Sequence, residues 1–255
     1  MSASTAPVRR TVLVTGASGG VGRGIALACG EAGWEVWVAA RREREAALVA
    51  DEVTAAGGLG RSVACDVGDE DSVAHAMGQA AADGGIDAIV HNATSGQSSK
   101  AGPVGEITLP ALEDHVAVAS RGLYLLARHG LEPLRARQGS MVVMTSEAGV
   151  EGKRLLAAYA MVKAQQRSLV TTLAREWGPL EVRINAVAPL ASSPAMVKAF
   201  VNEPAMERRV MGRIPLGRLG DAQDDIGTAV RYLIADAPYV TGQTLFVDGG
   251  SCPTA

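Results

Sequence analysis

Three side chains in the second half of the chain are of types that together carry out acid–base chemistry. They are Ser146, Tyr159 and Lys163, the last two in the stretch Tyr-Ala-Met-Val-Lys. On an α-helix, residues i and i+4 lie on one face, so the Lys163 ammonium can approach the Tyr159 phenol. A phenol with an ordinary pKa of about 10 is a poor base at neutral pH, and a neighbouring cation lowers that pKa. The spacing therefore predicts a proton-transfer pair, although two surface neighbours would have the same spacing.

A glycine-rich segment near the start of the chain is typical of a nucleotide-binding turn. The first predicted strand runs into Thr-Gly-Ala-Ser-Gly-Gly-Val-Gly at 15–22, and a helix follows. Glycines permit tight turns and close backbone approach, and the N–H groups at a helix N-terminus attract a pyrophosphate. A Walker-type phosphate loop is excluded because no Gly-Lys-Ser/Thr follows. The cofactor contacts predicted in this segment come from Gly16, Ser18, Gly20, Val21 and Gly22.

The residues at the end of the second predicted strand indicate which dinucleotide would bind. In a fold of this kind, an acidic residue there binds a ribose 2′-hydroxyl, whereas an arginine accommodates a 2′-phosphate. Here Ala40 is followed by Arg41 and Arg42, and a guanidinium pairs well with phosphate. We therefore predict a preference for NADP(H), with NAD(H) possible. The alternative is that both arginines open a solvated helix beside Glu43 and Glu45.

A fold must bring these residues close together. The hydrophobic pattern of the chain indicates which fold that is. Short β-branched runs alternate with helical patterns along the whole length. The predicted strands are 11–15, 35–40, 61–65, 86–91, 140–145, 182–187 and 243–247. Besides the helix after the glycine-rich turn, helices are predicted at about 43–56, 70–82, 111–136, 157–177 and 222–235. This alternation predicts an α/β fold: a single-domain, Rossmann-like, doubly wound parallel sheet of about seven strands.

Composition favours one large domain. The chain has 255 residues, of which 47% are hydrophobic and 20% charged, and this excludes the disordered classes. We interpret 1–10 as a flexible leader and 11–255 as one dinucleotide-binding catalytic domain. The stretch at about 192–220 is rich in proline and methionine, and we expect it to be an insertion that covers the substrate.

Composition also limits the partners. A net charge of −3 and few aromatic residues argue against nucleic acid. No apolar run approaches the roughly 20 residues that cross a bilayer. The three cysteines lack C-x-x-C spacing and the four histidines are scattered, which argues against a metal site and favours a reducing compartment. We expect a cytoplasmic protein with no nucleic-acid, membrane or metal partner.

Together the motifs resemble the short-chain dehydrogenase/reductase family over about residues 9–250. The segment 15–22 matches its Thr-Gly-x-x-x-Gly-x-Gly motif, and Ser146 with Tyr-x-x-x-Lys matches its catalytic centre. Further matches are Asp66 and Val67 with the adenine-contacting segment, 91–94 with Asn-Asn-Ala-Gly, and two late motifs at 185–189 and 247–250.

The resemblance implies hydride transfer between a nicotinamide cofactor and a small-molecule carbonyl or secondary alcohol. Tyr159 would exchange the proton, Lys163 would hold the nicotinamide ribose and lower the tyrosine pKa, and Ser146 would orient the substrate oxygen. It also implies a homotetramer, or a homodimer, formed through the helices at about 111–136 and 157–177. The further cofactor contacts that it implies are Asp66, Val67, Asn92, Ala93, Tyr159, Lys163, Pro189 and Ser193.

The sequence departs from the family pattern in ways that leave alternatives open. Ala119 stands where the family usually has an Asn that holds a relay water, and Ser120 could replace it only if the helix turns locally. Gly19 stands where members that prefer NADP often carry a basic residue. A nucleotide-binding regulatory or scaffold protein with weak or no turnover is therefore the alternative. Enoyl reduction is disfavoured, because relatives with that activity usually separate Tyr and Lys by six residues rather than three.

Overall fold

The strands form one parallel sheet whose order places the candidate residues at a single edge. The computed structural model describes residues 9–193, 196–197, 200–201 and 203–252. The spatial order is β3-β2-β1-β4-β5-β6-β7, with all neighbours parallel. The order reverses between β1 and β4, which is where such sheets bind ligands. The strands are β1 Thr11–Thr15, β2 Glu35–Ala40, β3 Leu59–Ala64, β4 Ala88–His91, β5 Ser140–Met144, β6 Arg183–Pro189 and β7 Thr244–Val247.

Helices cover both faces of the sheet. They are α1 Gly20–Glu31, α2 Glu43–Ala55, α3 Glu70–Ala80, α4 Leu109–His115, α5 Gly122–Arg135, α6 Ala148–Glu151, α7 Ala157–Trp177, α8 Pro204–Met211 and α9 Thr228–Ala235. Two π-helical segments, Val116–Arg121 and Ala222–Gly227, run directly into α5 and α9. Short 3-10 turns lie at Val104–Glu106 and Gly178–Leu180.

Two apolar layers hold the sheet between the helices. Strand β1 illustrates the arrangement, because every residue of it is buried. Val12 and Val14 pack into the layer that contains residues of α1, α2 and α9, whereas Leu13 packs into the layer that contains residues of α3, α5 and α7. Continuous apolar strands of this kind are expected where a parallel sheet is covered on both faces. The structure therefore confirms the predicted single-domain, doubly wound fold with seven strands.

The observed elements differ from the predicted ones mainly at boundaries. The predicted helix 111–136 begins earlier, at Leu109, because the Thr108 hydroxyl accepts a hydrogen bond from the Ala111 N–H at 3.4 Å and caps it. It is also interrupted by a π-helical turn. The predicted helix 222–235 begins with the second π-helical segment, whose N-cap Asp221 accepts hydrogen bonds from two backbone N–H groups.

Two predictions include residues that the structure does not describe. Of the predicted leader 1–10, residues 1–8 lie outside the described residues, and Arg9 and Arg10 are exposed. Within the predicted insertion at 192–220, residues 194–195, 198–199 and 202 lie outside the described part of the chain. The division into leader, domain and insertion stays a prediction.

Candidate active site

The glycine-rich turn follows β1 and fits closely against the segment after β4. Gly16 has a φ of 63°, and a Cβ added there would lie 2.7 Å from the Ala93 Cα. A Cβ at Gly22 would lie 2.6 Å from the Gly16 carbonyl oxygen and would also meet the Asn92 amide. Only glycine fits either position without displacing backbone. The Asn92 amide itself donates to the carbonyls of Thr15 and Gly16 at 3.1 and 3.0 Å, so Asn92 braces the turn.

The N-terminus of α1 offers the hydrogen-bond donors that a pyrophosphate needs. The helix begins at Gly20, and its N-cap, Gly19, places no side chain on the first N–H groups. Uncapped N–H groups and the helix dipole together favour an anion. Ser18 and Val21 are half-buried beside this terminus. The residues present therefore fit a dinucleotide pyrophosphate.

The residues predicted to contact the adenosine half lie at the ends of β2 and β3. Arg41 and Arg42 are exposed, and Arg42 forms an ion pair of 3.3 Å with Glu45. The alternative interpretation from the sequence, a solvated start to α2, therefore describes part of what Arg42 does. Asp66 is exposed and accepts a hydrogen bond from the Gly68 N–H at 3.0 Å, whereas Val67 is buried.

Ser146, Tyr159 and Lys163 come together through the packing of α7 on the end of β5. Ser146 follows β5 and is buried, and α7 begins at Ala157. Thr145 donates to the Lys163 carbonyl at 3.1 Å, which fixes the height of α7 relative to the sheet. A Cβ at Gly149 would lie 2.6 Å from the Lys163 carbonyl carbon, so α6 lies directly against this turn of α7.

The Lys163 ammonium is buried and points toward Tyr159. Its Nζ atom lies 5.6 Å from the centre of the Tyr159 ring. It donates to the Met144 carbonyl at 2.6 Å and to the Gln166 amide oxygen at 3.0 Å. Burial disfavours the charged form and lowers the pKa of Lys163 to about 7. The structure therefore places Lys163 next to Tyr159, as their spacing on one helix predicted.

The predicted direction of the Tyr159 pKa is not what the structure shows. Burial raises the pKa of Tyr159 above its ordinary value, the Ser146 hydroxyl opposes that rise, and the Glu147 carboxylate adds to it. The net direction in this structure is therefore upward, opposite to the expected lowering, and burial of the phenol is its largest cause. The phenol is held in its protonated form at neutral pH, as a proton donor requires.

Glu147 lies beside Ser146 and contacts its hydroxyl. The Ser146 hydroxyl donates to one Glu147 carboxylate oxygen at 3.0 Å, and the Lys153 ammonium lies 2.7 Å from the other. The Ser146 oxygen also accepts a hydrogen bond from the Ala148 N–H at 3.2 Å. The serine hydroxyl is therefore oriented before any substrate arrives.

A pocket of about 260 Å³ adjoins Tyr159 and provides room for a small molecule. Its walls come from the chain between β4 and α4 and from the start of α7. His115 lies there with its ring centre 6.5 Å from that of Tyr159, edge to face. Sequence reasoning missed this histidine, because nothing in its spacing connects it with Tyr159. Other lining residues are Gln97, Lys100, Thr108 and Leu155.

A chain of buried polar groups lies behind Tyr159 and Lys163. The His91 ring contacts the Thr15 hydroxyl at 3.3 Å through Nδ1 and the Ala119 carbonyl at 3.3 Å through Nε2. The Gln166 amide donates to the same carbonyl at 3.1 Å. Because a carbonyl oxygen only accepts, Nε2 carries the proton of a neutral imidazole. Sequence reasoning missed Gln166, although its position three residues after Lys163 on one helix face was a usable signal.

The remaining predicted cofactor residues lie at the carboxyl end of β6 and beyond. Pro189 is the last residue of the strand and is half-buried. The Ser193 hydroxyl accepts a hydrogen bond from the Met196 N–H at 3.2 Å. The Ala93 N–H donates to the Thr15 hydroxyl at 3.2 Å, so Ala93 meets the site through its backbone.

The described residues limit other kinds of site. No group of His, Cys, Asp and Glu among them is arranged to hold a metal ion. In the same part of the chain, every helix is too short or too polar to pass through a lipid bilayer.

Comparison with known proteins identifies the family. Residues 16–252 match a family model described as enoyl-(acyl carrier protein) reductase. The chain is 33% identical over 248 residues to a glucose 1-dehydrogenase of Gluconobacter oxydans, covering 94% of this chain and 91% of that protein. It is 31% identical over 246 residues to a 3-oxoacyl-(acyl-carrier-protein) reductase of Staphylococcus aureus, covering 94% and 97%.

Solved structures of dehydrogenases are also similar to this chain. A putative short-chain alcohol dehydrogenase from Sinorhizobium meliloti superimposes with a TM-score of 0.87 at 29% identity, covering 95% of this chain and 96% of that one. A putative NAD(P)-dependent gluconate 5-dehydrogenase from Beutenbergia cavernae, solved with bound NADP at low occupancy, has a TM-score of 0.87 at 31% identity, covering 96% and 98%. The chain belongs to the short-chain dehydrogenase/reductase family, and it is an oxidoreductase.

Proposed function

We propose that the protein transfers a hydride between NADP(H) and a small-molecule carbonyl or secondary alcohol. The observation that carries this proposal is the convergence of Ser146, Tyr159 and Lys163 at the sheet edge that also holds the glycine-rich turn. When bound, the nicotinamide donates or accepts the hydride. Ser146 orients the substrate oxygen, Tyr159 exchanges its proton, and Lys163 holds the nicotinamide ribose.

The cofactor would lie along the carboxyl edge from β3 to β6. The backbone of Gly16, Ser18, Gly20, Val21 and Gly22 would hold the pyrophosphate, as the uncapped start of α1 supports. Arg41 and Arg42 would face the 2′-phosphate, and Asp66 and Val67 would contact the adenine. The nicotinamide half would lie against Asn92, Ala93, Tyr159, Lys163, Pro189 and Ser193.

Two related structures support the phosphorylated cofactor. The gluconate 5-dehydrogenase from Beutenbergia cavernae and a 3-oxoacyl-(acyl-carrier-protein) reductase from Agrobacterium tumefaciens were both solved with NADP. The exposed Arg41 adds support from this chain, since its guanidinium is accessible to a phosphate. NADP(H) is therefore the preferred cofactor, and NAD(H) is a weaker one.

The protonated state of Tyr159 fits the role of a proton donor in carbonyl reduction. Its pKa lies above the ordinary value because the phenol is buried. A protonated phenol can give its proton to the oxygen of a carbonyl as the hydride reaches the carbon. The pocket beside Tyr159 would hold the rest of the substrate. No described residue of 192–220 lines this pocket, so the cover from that insertion is proposed from the sequence alone.

The other functions have less support. The relatives compared above are named as dehydrogenases and reductases, which does not favour a scaffold protein without turnover. The matching family model carries an enoyl reductase description. The three residues between Tyr159 and Lys163 favour carbonyl chemistry over enoyl reduction in this chain.

The test is NADPH consumption, followed by its absorbance, over a panel of β-ketoesters, sugar lactones and simple ketones. We expect at least one carbonyl compound to be reduced, with NADPH preferred to NADH. Arg41→Ala should reduce the ratio of the two affinities. Equal affinities of the unmodified protein for NADPH and NADH would refute the cofactor preference, and cofactor binding without consumption on any compound would refute the activity.

We further propose that the protein is a cytoplasmic homotetramer, with a homodimer as the alternative. Tyr124 on α5 and Met161 on α7 are exposed apolar residues on the two helices expected to pair. Cys29, Cys65 and Cys252 are all free thiols, as a reducing compartment would allow. Light scattering should give a multiple of the 26.2 kDa subunit mass at micromolar concentration. A mass of one subunit would refute the assembly.

A further inference from the structure

Gln166 is a buried polar residue that the proposed reaction does not yet use. It lies one turn after Lys163 on α7 and is 1% exposed. Its amide oxygen accepts a hydrogen bond from the Lys163 ammonium at 3.0 Å, and its amide nitrogen donates to the Ala119 carbonyl at 3.1 Å. Both ends of the amide are therefore satisfied by groups next to the catalytic pair.

The orientation of the Lys163 ammonium depends on these contacts. An ammonium has three donors, and two of them are used by the Met144 carbonyl and the Gln166 amide. The third is left for the side of the ammonium that faces Tyr159 and the cofactor edge. A buried charge is costly unless it is hydrogen-bonded, so the two acceptors both stabilise the ammonium and fix its direction.

The amide nitrogen of Gln166 is bound by a π-helical turn. The π-helical turn Val116–Arg121 places the Ala119 carbonyl where both His91 and Gln166 reach it. The Ser120 hydroxyl does not contact Gln166 or Lys163, because it donates to Gln165 on the exposed side of α7 at 2.6 Å. Position 119 supplies a carbonyl but no side-chain amide, and the amide that contacts Lys163 comes from Gln166.

We propose that Gln166 is a positioning residue, which holds the Lys163 ammonium toward Tyr159 by anchoring it to the Ala119 carbonyl. The proposal rests on the proposed function for the role of Lys163 in catalysis, but the contact itself is independent of it. The rival interpretation is that Gln166 only ties α7 to the π-helical turn and affects stability alone.

The two interpretations differ in what happens to the charge on Lys163. The other titratable groups that face it are His91 on β4, His115 on α4 and Tyr159 on α7. Burial lowers the pKa of both histidines, so both are neutral at pH 7, and burial keeps the tyrosine protonated. Gln166 is thus the side-chain partner whose replacement changes the environment of the ammonium.

The test measures the Lys163 ammonium directly, by NMR titration of the lysine ε-carbons. The chain has four lysines, Lys100, Lys153, Lys163 and Lys198, and the signal of Lys163 is assigned by its loss in Lys163→Ala. Gln166→Met has similar length but no acceptor, so the Lys163 pKa should fall by about one pH unit. Gln166→Glu adds an opposite charge and should raise it by a similar amount.

Matched controls are available at the next position. Gln165 is exposed on the same helix, and Gln165→Met and Gln165→Glu should leave the Lys163 pKa within a few tenths of a pH unit. In the same proteins, Gln166→Met should lower NADPH-dependent turnover at least about 10-fold, and Gln165→Met should not.

The outcomes separate the hypotheses. An unchanged Lys163 pKa in both Gln166 variants would overturn the proposal, even if their melting temperatures fall. Wild-type turnover in a Gln166→Met variant with a shifted pKa would also overturn it, because the positioning would then have no catalytic consequence. If Gln166→Met does not fold, Gln166→Glu alone decides by the direction of its pKa change. A wild type without turnover would refute the proposed function, while the pKa measurements still decide on the contact.

Discussion

Tyr159 and Lys163 differ in their surroundings, and this difference separates their expected roles. Tyr159 borders the pocket and is half-buried, whereas Lys163 lies behind it and is 3% exposed. We therefore expect the Tyr159 phenol, at the pocket wall, to meet the substrate. The Lys163 ammonium donates to the Met144 carbonyl on its other side, and we expect it to act on the tyrosine and on the cofactor.

This difference predicts different effects of substitution. Tyr159→Phe should lower turnover by about 10² or more, since the proton donor is removed, and should still bind NADPH. Lys163→Ala should weaken NADPH binding and turnover together. Steady-state kinetics with tryptophan fluorescence titrations of NADPH checks both. Full activity in Tyr159→Phe would mean that the proton donor is a different group.

His91 should make the stability of the fold sensitive to acid. Burial lowers its pKa to about 3, helped by the charge on Lys163. Below pH 6.5 the His91 imidazole binds a proton in the unfolded chain but not in the folded protein. The free energy of unfolding therefore falls as pH decreases from 6.5 toward 3. His91→Asn should reduce that slope by up to about 1.4 kcal/mol per pH unit.

Urea unfolding at a series of pH values measures this slope. The exposed His75 provides the control, because His75→Asn should follow the wild-type curve. Parallel curves for the wild type and His91→Asn between pH 6 and pH 4 would contradict the assignment of the acid sensitivity to His91.

The sequence indicated which residues are candidates for the site but not what surrounds them. Ser146, Tyr159 and Lys163 could be proposed because motif and helical spacing are local properties of the chain. The raised Tyr159 pKa and the contact between Gln166 and Lys163 could not, because burial and the approach of Ala119 arise from elements distant in sequence.

At the scale of elements, the site depends on turns that hold β1, β4 and α7 at fixed distances. The glycine-rich turn is the tightest of these. A methyl group at Gly22 would collide with the Gly16 carbonyl and the Asn92 amide, which are themselves joined by a hydrogen bond. The turn and the segment after β4 therefore move together if either is disturbed.

Gly22→Ala should consequently destabilise the protein by about 1–3 kcal/mol and abolish or strongly weaken NADPH binding. Gly19→Ala is the matched control. Gly19 has an extended backbone with a φ of 173°, and a Cβ there meets nothing within 4 Å, so the variant should fold and bind like the wild type. Chemical unfolding and NADPH titration of both variants check this. Equal losses in the two variants would show that close packing at Gly22 is not the cause.

The boundaries of elements show which information is local. The predicted bounds of β1, β2 and α7 agree with the structure, because their apolar patterns end at clear turn signals. Strand β3 begins earlier than predicted, at Leu59, in a glycine-rich segment that looks like a turn. Pairing of Leu59 with Glu35 on β2 imposes the extended conformation there, and that is a tertiary effect. The hydrophobic periodicity of the sequence likewise does not reveal the two π-helical segments.

At the scale of the whole molecule, alternation of strands and helices was enough to predict the doubly wound sheet. Parallel strands joined by right-handed crossovers leave few arrangements, and their carboxyl ends share one edge. That edge gathers the glycine-rich turn, Asn92, Ser146 and Pro189 from four different strands. The pocket beside Tyr159 was not foreseen, because its walls come from the chain between β4 and α4, where the pattern is irregular.

We expect hydride transfer to a carbonyl at this edge of the sheet, with Tyr159 as the proton donor. The most direct measurement supplies NADPH deuterated at the transferable position of the nicotinamide and analyses the alcohol product by mass spectrometry. We expect deuterium on the carbinol carbon with the wild-type protein, and at least about 10²-fold less product with Tyr159→Phe. Binding of NADPH without deuterated alcohol from any compound of the panel, or equal product from Tyr159→Phe, would contradict it.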